Sequence, residues 1–256
     1  MIFDTHAHYD DNKFDTDRHE LLMGLAGQNI GNVVNVGADI ESSRRSLELS
    51  RKYPFIYAAV GVHPSDTDCL NEESFAWLKE HMNDEKVVAV GEIGLDYYWE
   101  KDADVRQKQS YWFKRQFDMA ASVKKPVIIH SRDAAADTWD ILNELDAVRT
   151  HVVIHCYSYS PEMARKFLEL DTWFGIGGVL TFKNGKKLRE TVPVIPLNRL
   201  LLETDCPYLA PEPHRGERNH SGYLGCVVSE LSGILNMSED EIIRITEENA
   251  REFYGL

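Results

Sequence analysis

Two histidines one residue apart, His6 and His8, stand at the end of the opening run MIFDTHAHY. Side chains on a strand alternate with period two, so both imidazoles point the same way and can bind one metal ion. Imidazole with carboxylate is a ligand set for Zn²⁺ or a similar divalent ion. Five more residues of these types fall where other apolar runs give out: His63, Glu92, His130, His155 and Asp205. One ion could take His6, His8 and a carboxylate, leaving room for water. A second could take His130 and His155, with Glu92 bridging the two groups. Two ions about 3.5–4 Å apart can clamp the attacking and leaving oxygens of a displacement. His63, in GVHP, reads either as a site residue or as a loop-orienting histidine locked by Pro64. His19 and His81 fall in helical segments as surface residues, and His151 opens a strand on the face away from the site.

The elements that must carry these residues alternate along the chain. Apolar, β-branched runs begin near Met1, Ile30, Phe55, Lys86, Lys125, Thr150, Thr172 and Arg199. Continuous runs of this kind suit strands buried on both faces, as in a parallel sheet. Longer segments of helical period separate them. Ser160-Pro161 caps one helix, and Ser238 with Glu241 forms a capping box for the last. The segment from Val105 reads as a long amphipathic helix with Tyr111, Phe113, Phe117 and Ala121 near one another.

Eight strands each followed by a helix predict an α/β fold, a (β/α)8 barrel, as one domain over residues 1–256. The candidate ligands then sit at the C-terminal strand ends, where barrels assemble their sites. An open doubly wound sheet would carry a glycine-rich loop after its first strand, but HAHYDDNKF has no glycine. The polar loop from Ala210 to Tyr223 follows the eighth strand, where site-forming loops belong.

The 256 residues carry a formal net charge of −14. Extended duplex binding wants a basic surface, so a nucleic-acid substrate must be held locally or through metal ions. None of the four cysteines lies in a C-x-x-C pair, no apolar signal segment opens the chain, and no run spans a membrane. A cytoplasmic protein without membrane attachment is expected.

The motifs DTHAHYD, GVHP, GEIGLDY, PVIIHSRDA, VVIHCYS, LLLETDCPYLAP and PHRGERN, in this order, resemble the TatD family of metal-dependent hydrolases. The resemblance implies a (β/α)8 barrel, two divalent ions and 3′-to-5′ exonuclease action on DNA. It implies that His6, His8 and Asp205 bind one ion, that His130 and His155 bind the other, and that Glu92 is shared. His63 would contact substrate phosphate. Tyr159 stands where the family commonly has glycine, and RNHSGYL lacks a proline that often follows RN.

Metal-assisted phosphodiester hydrolysis is therefore the expected chemistry, with Zn²⁺, Mg²⁺ or Mn²⁺ and with DNA single strands or strand ends as substrate. Asp205 would take the water's proton, and Arg215, Arg218 and His63 would offset phosphate charge. The basic stretch FKNGKKLRE could steer a phosphate backbone. An ester, lactone or aminoacyl hydrolase on the same metals is the alternative, because loops set specificity on this fold. A non-catalytic scaffold would call for a missing ligand, and no ligand position is missing.

Overall fold

The computed structural model describes all residues, 1–256. Each apolar run forms a strand: β1 (Ile2–Ala7), β2 (Ile30–Val36), β3 (Ile56–Val60), β4 (Val87–Asp96), β5 (Val127–Arg132), β6 (Val152–Ile154), β7 (Trp173–Ile176) and β8 (Leu200–Leu202). The sheet order is sequential from β1 to β8. Helices follow the strands: α1 (Arg18–Gly24), α2 (Ile40–Lys52), α3 (Glu72–His81), α4 (Ala103–Ala121), α5 (Ala135–Glu144), α6 (Pro161–Leu168), α7 (Lys186–Thr191), and α8 (Leu224–Leu235) with α9 (Glu239–Tyr254) after the last. This succession is the (β/α)8 barrel class. All residues of β1 and β4 are buried, as strands covered on both faces require. No helix is long and apolar enough to cross a membrane.

The chain divides into two compact units. One comprises residues 1–35, 156–165 and 174–256. In it β1 pairs with β2 and β7 with β8, all parallel. A parallel bridge between Ala7 and Cys206 sets the end of β1 beside the segment after β8, which an open doubly wound sheet would not do. Helix α9 packs on β1 and β8. Its Tyr254 hydroxyl donates to the Thr5 carbonyl at 2.8 Å, and the Asn249 amide donates to the carbonyls of Leu197 and Leu200. The Ser238–Glu241 capping box starts this helix as predicted.

The other unit comprises residues 36–155 and 166–173. Its strands β3, β4, β5 and β6 pair in parallel, with α2 packed on β3 and α4 on β4. Phe113, Phe117 and Ala121 of α4 are buried, but Tyr111 is 53% exposed. At about 100° per residue Tyr111 lies some 200° from Phe113, so it belongs to the outer face. There it sits beside Arg115, whose guanidinium donates to its hydroxyl at 3.1 Å.

Candidate metal centre

In the first unit, His6 closes on His8 as period two requires. Their Nε2 atoms face each other at 3.1 Å. Asp205 Oδ1 lies 3.4 Å from His8 Nε2 and 3.9 Å from His6 Nε2. Backbone bonds hold the three in register: Asp205 N–H donates to the His6 carbonyl at 2.9 Å, and His8 N–H to the Cys206 carbonyl at 2.8 Å. Two imidazole nitrogens and a carboxylate oxygen thus converge on one point. This donor set fits a divalent ion.

Behind this cluster stands a residue the sequence reading passed over. Asp4 is fully buried and two residues before His6. Its Oδ1 accepts the N–H groups of His6 (3.3 Å) and Thr204 (3.0 Å). Its Oδ2 accepts the hydroxyls of Thr204 (2.7 Å) and Ser221 (2.6 Å). Burial pushes the Asp4 carboxyl up to about 7 against the lowering effect of these bonds. The same period of two that aligned His6 with His8 also aligns Asp4, and that was the available signal. Asn219, in the unusual RNHSGYL stretch, donates to the carbonyls of Thr204 (2.9 Å) and Tyr208 (2.7 Å). That stretch therefore braces the segment that carries Asp205.

In the second unit, Glu92 Oε1 gathers three imidazoles. His130 Nδ1 lies at 2.6 Å, His155 Nε2 at 2.8 Å and His63 Nε2 at 3.8 Å. Glu92 does not end its strand, because β4 continues to Asp96. Asp96 Oδ2 faces His130 Nε2 at 3.1 Å. Burial works against a charged Glu92, but the His155 and His130 imidazoles outweigh it and hold the carboxyl well below its ordinary range. Burial likewise pulls His130 down, and the Glu92 and Asp96 carboxylates outweigh it, so the net shift is upward. His63 goes the other way, to about 3, through burial first and then the charge of His130. It is a neutral imidazole at neutral pH. Its Nδ1 accepts the Ser65 N–H at 3.1 Å, so the ring proton is on Nε2, the atom that faces Glu92.

Two buried glutamines of α4, seven residues apart, grip the segment after β3 and the end of β4 that present this cluster. Gln116 accepts the Val62 N–H at 2.9 Å and donates to the Val62 carbonyl at 3.2 Å, one residue before His63. Gln109 makes the same pair of bonds with Asp96, at 3.1 and 3.4 Å. Gly94, at φ +142°, lets β4 pass close to β5, because a Cβ there would lie 2.0 Å from the His130 carbonyl oxygen.

The two arginines proposed for phosphate sit in the first unit, on the loop after β8. Arg215 lies 3.9 Å over the Phe182 ring and donates to the Ala210 carbonyl at 3.1 Å. Arg218 donates to both oxygens of Asp17, at 2.8 and 2.5 Å, and to the Lys13 carbonyl. A phosphate on Arg218 must therefore compete with Asp17. In FKNGKKLRE, Arg189 is turned inward onto the carbonyls of Leu180 and Phe182, while Lys183, Lys186 and Lys187 keep to the outer surface.

The sequence pattern of the family described as TatD-related DNase matches residues 3–255. The chain belongs to this TatD family. It is 42% identical over 256 residues to the uncharacterized metal-dependent hydrolase YabD of Bacillus subtilis, covering 100% of both chains. It is 37% identical over 267 residues to the uncharacterized metal-dependent hydrolase TatD of Mycobacterium tuberculosis, covering 100% of this chain and 98% of the other. The crystal structure of YjjV, a TatD homolog from Escherichia coli, superposes with a TM-score of 0.93 at 30% identity over 100% of this chain and 98% of that one. As a TatD-family member the chain is a metal-dependent hydrolase, and it carries several His, Glu and Asp groups able to hold a metal.

Proposed function

We propose that the chain is a divalent-metal phosphodiesterase that releases nucleotides, 3′ to 5′, from DNA single strands or strand ends. The observation that most supports this is the convergence of His6, His8 and Asp205 donor atoms within 3.9 Å in a member of the TatD-related DNase family. In this reading His6, His8 and Asp205 hold one ion, and Glu92, His130 and His155 hold a second. When bound, Zn²⁺, Mg²⁺ or Mn²⁺ supplies Lewis acidity and brings a water's pKa toward neutral.

The side chains divide the remaining work. Asp205 is 18% exposed against 5% for Glu92, so Asp205 is the carboxylate that solvent reaches and the one that takes the water's proton. Glu92 holds His130 and His155 in place through its charge. His63, neutral and protonated on Nε2, donates a hydrogen bond to a phosphate oxygen rather than supplying charge. Arg215 and Arg218 supply the cationic contacts that a chain of net charge −14 does not offer broadly. Four free cysteines fit a reducing compartment, and we place the enzyme in the cytoplasm.

The test combines metal analysis of protein purified without added metal with turnover on 3′-labelled single-stranded DNA in Mg²⁺, Mn²⁺ or Zn²⁺. Nucleotide release that chelation abolishes is expected, and Asp205→Asn should lower it about a hundredfold or more. Ester, lactone and aminoacyl substrates are run alongside. Their turnover without nucleotide release would sink the nuclease reading and assign the metals to another bond.

A further inference from the structure

The loop that follows β4 carries the most exposed large apolar side chain of the protein. Trp99 is 65% exposed and Tyr98 46%. Their rings meet edge to face, with centroids 4.8 Å apart. The Arg132 guanidinium, from the end of β5, lies 4.1 Å from the Tyr98 centroid and 5.6 Å from that of Trp99. It rests on rings rather than on a carboxylate.

This loop is rigidly built. Asp96 Oδ1 accepts the N–H groups of Tyr98 (2.9 Å) and Trp99 (3.0 Å). The Tyr97 hydroxyl donates to Asp137 at 2.7 Å, Lys101 Nζ donates to the Tyr97 carbonyl, and Arg106 Nε donates to the Glu100 carbonyl at 3.0 Å. Asp102 then caps α4. Trp99 thus stands in water on a loop whose backbone is tied by Asp96 and Arg106. The second oxygen of Asp96 faces His130. A single carboxylate therefore fixes both a candidate ligand and the aromatic loop.

We propose that Tyr98, Trp99 and Arg132 form a stacking platform for an unpaired base of the strand being degraded, with Arg132 also meeting a neighbouring phosphate. This rests on the nuclease reading above and specifies how that site would hold its substrate. Aromatic faces accept any base, and a guanidinium serves both base and phosphate. The platform is small and local, as a strongly acidic chain requires. It favours single strands, since bases inside a duplex are stacked on both faces and only an unpaired base can turn freely onto the rings.

The experiment compares Kd, by fluorescence anisotropy of the metal-loaded enzyme on phosphorothioate-protected DNA, for a labelled single strand, for the same strand with abasic residues near its 3′ end, and for duplex, with cleavage of unprotected strands followed in parallel. The wild type should bind the intact strand about tenfold or more tighter than the abasic one. Trp99→Ala should bind both weakly and alike, Trp99→Phe should recover most of the difference, and Arg132→Ala should flatten the salt dependence by about one phosphate contact. Trp99→Ala that still discriminates intact from abasic strands overturns the platform, and so does tighter binding of duplex. Cleavage by the wild type in either case leaves the nuclease reading standing. A wild type that neither binds nor cleaves any strand overturns both.

Discussion

Asp4 holds Thr204 twice, accepting its backbone N–H at 3.0 Å and its hydroxyl at 2.7 Å. The two residues lie 200 positions apart, and each neighbours a candidate ligand: Asp4 comes two residues before His6 and Thr204 one before Asp205. One buried carboxylate therefore sets the spacing between β1 and the segment after β8.

Its two oxygens have different partners, and this makes a discriminating prediction. Oδ1 meets two N–H groups and Oδ2 meets two hydroxyls. Asparagine can place its amide nitrogen on the hydroxyl side, where rotated hydroxyls accept. Asp4→Asn should cost about 1 kcal/mol. Asp4→Ala strands several buried donors and should cost about 3 kcal/mol or more. Urea unfolding of the metal-free proteins measures both. Equal costs for the two variants would contradict this division of roles.

Gln116 offers a second test, on the other unit. Gln116→Leu keeps most of the volume but leaves the N–H and carbonyl of buried Val62 without their partner. A loss of about 2–4 kcal/mol is expected. Because Val62 precedes His63, KM for an oligonucleotide should rise more than kcat falls. A variant with wild-type stability and unchanged KM would show that the clamp does not position His63.

What the sequence made legible, and what it did not, follows from the range of the interactions. Buried apolar runs announced all eight strands, because strands covered on both faces leave no polar alternation. Period two aligned His6 with His8, and the same rule, carried two residues further back, would have included Asp4. It also links Glu92 to Asp96 along β4; the run KVVAVGEIGLD does reach Asp96, so only the placing of Glu92 at the strand's end departs from the structure. The amphipathic pattern groups Tyr111 with Phe113, Phe117 and Ala121, but the two-residue step from Tyr111 to Phe113 turns it to the exposed face of α4. The glutamine clamps and the Arg218–Asp17 pair were not readable at all. Each joins residues that only the folded chain brings together, the last across 201 positions.

Gly94 tests the close approach of β4 to β5. At φ +142° an L side chain is strained, and an added Cβ would meet the His130 carbonyl oxygen at 2.0 Å. Backbone must move to relieve this, and the nearest backbone carries a candidate ligand. Gly94→Ala should destabilise the protein by about 2–4 kcal/mol and lower turnover even at temperatures where it is fully folded. Wild-type turnover from the folded variant would separate the strand crossing from the placement of His130.

The Arg218–Asp17 pair makes a prediction of opposite sign for stability and for binding. The bonds from Arg218 hold the Asp17 carboxyl below its ordinary value of 3.8. A carboxyl lowered on folding contributes stability that is present above its unfolded value and is lost as pH falls through the folded one. Both partners are partly exposed, so the contribution should be no more than about 1 kcal/mol. Asp17→Asn should therefore unfold slightly earlier than wild type at neutral pH, with the gap closing below about pH 4. The same substitution releases the guanidinium that Asp17 occupies. If Arg218 meets phosphate as proposed, Asp17→Asn should lower KM for an oligonucleotide while Arg218→Ala raises it. A rise in KM for both would instead identify the pair as a brace for the loop after β8.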